Sequence, residues 1–200
     1  LVSRSYREGQ RLERAMMEPD WFTPETTVGL IALSGGREGD VGRALLSGHR
    51  RLAEQRLDAW RKLFGDRYYL QLVRTGRSDE EDCLHASVEL AAAHAVPVVA
   101  TNGVCFLQPQ EFAAHEVRVC IHEGRTLDDP RRLKSYSDQQ YLRSPTEMVE
   151  LFSDVPEALA NSVEIAKRCN LEITLCESYL PDFPIPAAMT IDDFFRAESR

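Results

Sequence analysis

The sequence predicts an α/β fold with parallel strands, and three observations carry that reading. Apolar runs at Val28–Ser34, Arg67–Val73 and Val96–Thr101 have the length and composition of strands. Between them lie stretches whose apolar residues recur at helical spacing. The composition, 43% hydrophobic and 28% charged over 200 residues, is that of a globular chain able to bury a core without disulfides. Strands that alternate with helices pair in parallel, and both an α/β barrel and a doubly wound sheet satisfy the pattern.

Taken in order, LVSRSYREG reads as the interior of a helix, and VGLIALS as a buried strand closed by Gly35-Gly36. His49–Phe64 places Ala53, Leu57, Trp60 and Phe64 on one helical face, with Arg51, Glu54, Asp58, Arg61 and Lys62 over much of the rest. RYYLQLV is the second strand. Ser78 and Glu81 have the spacing of a capping box opening a helix that runs to about Ala95. VPVVAT is the third strand, and Pro97, lacking an amide proton, belongs at its first residues. Gln110–His122 follows as a helix, and Glu123–Ser137 as a charged, turn-rich connector, read as solvated. Ser144-Pro145-Thr146-Glu147 combines a cap, a proline at the first helical position and a returning glutamate. Asp154-Val155-Pro156-Glu157 repeats the device, and that helix ends near Cys169-Asn170. YLPDFPIP, Tyr179–Pro186, carries three prolines and reads as an extended linker, with a fresh helix from Thr190.

The net charge of −8 disfavours a free-standing nucleic-acid binder, which needs a concentrated basic surface. The stretch Leu90–Gln110 is too polar and too broken by proline to span a bilayer, and no signal peptide is present, so a cytoplasmic chain without membrane contact is expected. Five cysteines without a C-x-x-C pair point to reduced thiols rather than a zinc ribbon or redox motif.

Chemistry in such folds gathers at the carboxyl ends of the strands. Here these ends are Ser34-Gly35-Gly36, Arg74-Thr75-Gly76 and Asn102-Gly103-Val104-Cys105. No H-x-H pair sets two imidazoles on one strand face, and Glu111 with His115 is the one i, i+4 pair weighed as a chelate. Cys105 lacks a neighbouring base in the sequence, and SGGREGDVG matches neither a Walker loop nor G-x-G-x-x-G. Arg74 and Arg77 are suited either to clamping an anion or to pairing with Asp79, Glu80 and Glu81. Taken alone, the residues describe an α/β domain without a convincing active site.

A resemblance adds to this. LIALSGGREGDVGRALL, the stretch from Asp66 to Leu107, AAHEVRVCIHEGRTLDDPRR, the stretch from Tyr141 to Ile173, and YLPDFPIP resemble the amino-terminal region of bacterial DNA polymerase III alpha subunits, most closely the replicative, proteobacterial form. The resemblance implies a polymerase-and-histidinol-phosphatase (PHP) domain over residues 1–178, part of a distorted seven-stranded α/β barrel lacking its first strands. Residues 179–200 would be the linker and the start of the polymerase palm. Members with an intact metal site carry L-S-G-C and N-D-x-H at the strand ends. Here those positions read Leu33-Ser34-Gly35-Gly36 and Asn102-Gly103-Val104-Cys105, so Gly36, Gly103 and Cys105 stand where ligands would be.

The resemblance therefore implies a degenerate metal site, no catalytic or cofactor-binding residue in this segment, and magnesium used elsewhere in the parent polymerase. Implied partners are the proofreading exonuclease subunit, the remaining domains of the alpha subunit, and, through the parent chain, the sliding clamp and primer-template DNA. The alternatives are a PHP phosphoesterase or exonuclease still active in the intact domain, an independent DNA-binding module, and a segment of the error-prone relative.

Overall fold

The computed structural model describes residues 1–11, 14–178, 184–186 and 189–199, which fall into two compact units, Leu1–Cys169 and Asn170–Arg200. The first unit opens with helix α1 (Val2–Glu8) and a two-residue antiparallel ladder of β1 (Gln10–Arg11) on β2 (Arg14–Ala15). Its centre is a parallel sheet in the order β3 (Ala32–Leu33), β4 (Tyr68–Val73), β5 (Val98–Thr101). Ala32 pairs with Tyr68, and the β4–β5 register runs from Leu70–Val98 to Val73–Thr101. Between β3 and β4 come α2 (Asp40–Leu46) and α3 (Arg50–Phe64); α4 (Glu80–His94) joins β4 to β5. After β5 follow α5 (Phe112–Glu123), α6 (Pro145–Leu151) and α7 (Pro156–Arg168). The parallel α/β class is as expected, and no closed barrel is formed by the described residues.

β4 is the middle strand and the most buried. Tyr68 and Leu70 pack with Val41, Ala53, Leu57, Phe64 and Leu90 in one cluster. Leu72 packs with Leu84, Ala100, Phe152 and Ala158 in a second, beneath α6 and α7. The buried Val, Leu and Phe side chains among these each contribute roughly 1.5–3 kcal/mol. Asn161 of α7 donates to the Val98 carbonyl at 2.8 Å, joining that helix to β5. Pro97 stands just before β5, and its carbonyl accepts from Leu70 N–H at 2.9 Å.

Three local expectations need correction. The first strand shrinks from Val28–Ser34 to Ala32–Leu33, and Val28 is 73% exposed. The Thr27 hydroxyl donates to the Thr23 carbonyl at 2.8 Å and Gly29 takes φ of 74°, so residues 23–30 close into turns instead. Ser78 and Glu81 form no capping box: α4 begins at Glu80 after Asp79 at φ of 62°, and Glu81 turns to Arg74. Asp154 does not cap α7, whose first flanking residue is Val155, because its carboxylate is drawn to Arg74 as well.

The Ser144 box forms as expected, with Ser144 N–H donating to Glu147 at 2.7 Å and Glu147 N–H to Ser144 Oγ at 3.3 Å. Trp60 is only half-buried, stacked on Tyr68 with centroids 6.3 Å apart. In the second unit, α8 (Ile191–Glu198) starts under the Thr190 cap. The linker expected over Tyr179–Pro186 falls largely outside the described residues.

Candidate functional site

The carboxyl ends of β3, β4 and β5 are joined by side chains. Gln71 N–H donates to Ser34 Oγ at 2.9 Å, and Gln71 Nε2 to Thr101 Oγ1 at 2.6 Å. Gly36 follows β3 at φ of 54°, where a β-carbon would stand 3.2 Å from Val73 Cγ2. Gly103 and Cys105 come together after β5: the Cys105 thiol lies 3.5 Å from the Gly103 carbonyl and 3.5 Å from Gln140 Nε2. Burial raises the Cys105 thiol pKa more than Arg77 and Arg118 lower it.

The glycine-rich stretch after β3 is a turn leading into α2, with Gly35 at φ of 79°. Arg74 and Arg77 pair with neighbouring acids. Arg77 Nε donates to Glu80 at 2.7 Å, and Glu80 also receives Thr75 N–H at 2.5 Å and Thr75 Oγ1 at 2.7 Å. Burial acts to raise the Glu80 carboxyl, but Thr75 and Arg77 outweigh it and hold it below the ordinary carboxylate value.

The face above the strand ends is covered by the connector, which in the structure runs on past Ser137 to Arg143, a feature the sequence reading missed. Ser137 Oγ donates to the Thr75 carbonyl, and Gln140 Nε2 to the Gly103 carbonyl at 3.0 Å. Asn102 Nδ2 donates to Gln139 and Tyr141 carbonyls at 3.3 and 2.6 Å, while its oxygen accepts from Arg143 Nε at 3.3 Å. The expectation of a solvated connector is therefore corrected at Arg132, whose side chain is 7% exposed and paired with Glu116 of α5. The available signal was Glu116 beside His115 and four residues before Cys120, an acid on the buried face of a helix.

His115 and Glu111 are not brought together as a chelate. Glu111 accepts from Leu107 and Gln108 amides at 2.8 and 2.9 Å, while the His115 ring faces Tyr136. Among the described residues no three His, Cys, Asp or Glu side chains are grouped to hold a metal ion. A cavity of about 490 Å³ remains beside the strand ends, lined by Arg37, Gly76, Arg77, Lys134, Ser135 and Tyr136 among others. No described helix is long and apolar enough to cross a membrane.

Comparison with known proteins places this geometry. Residues 1–75 match the PHP domain family. The chain is 55% identical over 199 residues to a DNA polymerase III subunit alpha of Pseudomonas aeruginosa, all of this chain and 17% of that one. It is 54% identical over 192 residues to its Escherichia coli K12 counterpart, 96% of this chain and 16% of that one. With the Vibrio cholerae subunit it shares 50% over 200 residues, again all of this chain and 17% of the relative. The chain thus spans about one sixth of the length of the relatives it matches. With a PHP match at one end and half or more of the residues identical over alignments that cover the whole chain, the chain belongs, as a segment, to the family of DNA polymerase III alpha subunits.

Proposed function

We propose that this segment is a structural PHP module of a DNA-templated DNA polymerase and a docking surface for its proofreading exonuclease subunit. The observation that carries the reading is that essentially the whole of this chain is similar to a segment, about one sixth, of DNA polymerase III alpha subunits. The parent chain would perform nucleotidyl transfer with magnesium held by residues outside this segment, and would engage primer-template and the sliding clamp there.

The strand-end chemistry supports a scaffold rather than a hydrolase. Glycine offers no donor atom, so Gly36 and Gly103 supply no ligand, and the Cys105 thiol is held in its neutral form by burial. A cluster of ions needs several imidazole and carboxylate donors, and the residues present do not fit one. The connector's hydrogen bonds also satisfy Asn102 and the carbonyls of Thr75 and Gly103, groups that in a working site would face substrate.

The test is elemental analysis with manganese and zinc titration of the full alpha subunit, beside exonuclease binding and primer extension. Primer extension and exonuclease binding without stoichiometric manganese or zinc support the reading. Tight stoichiometric metal with phosphoester hydrolysis would establish the alternative, an active PHP phosphoesterase.

A further inference from the structure

His115 stands where α5, the loop after β5 and the connector meet. Its ring is edge-on to Tyr136 of the connector, with centroids 4.6 Å apart, and tilted against Phe106 at 5.5 Å. The residue is 8% exposed, and Nε2 has no hydrogen-bond partner among the described residues. On its own helix the charged neighbours are Glu116 and Arg118, and just before the helix stands Glu111, whose carboxylate is engaged by two backbone amides. From the connector comes Arg132, locked to Glu116 in a buried ion pair. From the loop after β5 comes Cys105, lining the same cavity of about 290 Å³.

We propose that Arg132–Gln140 is a strap across the strand ends and that protonation of His115 releases it. A desolvated imidazolium beside Arg118 finds two acids nearby, both committed: Glu111 to two backbone amides and Glu116 to Arg132. The ring gains hydration by displacing Tyr136, or a counter-charge by drawing Glu116 from Arg132. The first route pulls on the strap beside its Ser137 anchor, and the second frees its Arg132 end. Opening exposes the cavity that Ser135 and Tyr136 share with Arg37 and Arg77. Burial first, and Arg118 second, hold the imidazole below its ordinary value. The closed strap is therefore complete above the ordinary histidine pKa and is lost as pH falls through the depressed one.

Hydrogen exchange of the whole chain across a pH series, corrected for intrinsic rates, tests this. Peptides covering 132–142 should lose protection by up to about tenfold per pH unit as pH falls from the ordinary histidine pKa towards the depressed one, levelling off below it, while β4 keeps its own. His115→Phe, which keeps an aromatic ring without the charge, should abolish the step, and His122→Gln should retain it. Unchanging protection in the wild type, or a step that persists in His115→Phe, overturns the proposal. Should His115→Phe fail to fold, nuclear magnetic resonance of the wild type decides. The Tyr136 ring must shift with the His115 titration, and a Tyr136 signal indifferent to it overturns the proposal equally.

Discussion

Arg74, immediately after β4, grips Asp154 between α6 and α7 with two parallel hydrogen bonds of 2.6 and 2.8 Å, and this ties two helices to the central strand. The same guanidinium donates to Glu81 of α4 at 2.9 Å and to the Leu151 carbonyl at 2.8 Å, and lies 5.2 Å from the Phe152 ring centroid. Arg74 is 13% exposed, whereas both carboxylates are more than half exposed. Replacing Arg74 by Met should therefore cost about 1–2 kcal/mol, less than a wholly buried pair. Arg74→Lys should recover only part of this, because an ammonium cannot make the parallel pair. Urea unfolding of the three proteins measures both effects, and a fully restoring Lys would sink the bidentate account.

Acid should attack the same joint. Hydrogen bonding from Arg74 holds the Asp154 carboxyl down at about 2, and the hydroxyl of Tyr141 with the Ser144 amide holds Glu147 at about 2. Carboxylates depressed in the folded state stabilise it above their unfolded pKa, and that contribution is lost as pH falls through the folded value. Stability should decline below the ordinary carboxylate range, and the Asp154→Asn variant should show a shallower decline. Denaturation midpoints across the acid limb report this directly.

Glu80 is 3% exposed and is the common acceptor of Thr75 and Arg77. Glu80→Ala strips the partner from a buried amide and hydroxyl and from a guanidinium, at about 3 kcal/mol. Glu80→Gln keeps the shape but leaves Arg77 with only the exposed Glu38, 3.7 Å away, as a counter-charge, and should fall between. Calorimetry of both variants separates loss of hydrogen bonding from loss of charge.

Gly36→Ala places a side chain at φ of 54° with its β-carbon 3.2 Å from Val73 Cγ2. Left-handed backbone costs a non-glycine residue roughly 1–2 kcal/mol, and the contact adds to it. Gly48→Ala, also left-handed at φ of 72° but with open space around it, should cost less. A larger loss at position 48 than at 36, read from thermal unfolding, would remove the packing argument.

Elements with strong local grammar were legible in the sequence. β4 and β5 are apolar runs with one reading, α3 has a clear apolar face, and Ser144 with Pro145 and Glu147 announces a helix start that forms as written. The two failures of capping share a cause. Glu81 and Asp154 sit where capping rules expect them to serve backbone amides, yet both are taken by Arg74, which lies 7 and 80 residues away along the chain. Capping rules weigh only the nearby amides, although a guanidinium offers a carboxylate stronger bonds, and so they failed even at Glu81, whose pairing with Arg74 the sequence itself offered.

The sequence by itself determined the α/β class, the parallel order of strands and helices, and the absence of donor atoms at Gly36 and Gly103, because each follows from residue type and spacing. Only the tertiary structure decided what occupies the strand ends. Ser137, Gln139, Gln140 and Arg143 reach Thr75, Asn102 and Gly103 across separations of 37 to 62 residues, and Arg132 finds Glu116 under the connector. Buried polar groups must be paired wherever the fold brings them, and no periodicity along the chain records which partner, far off in sequence, will be there.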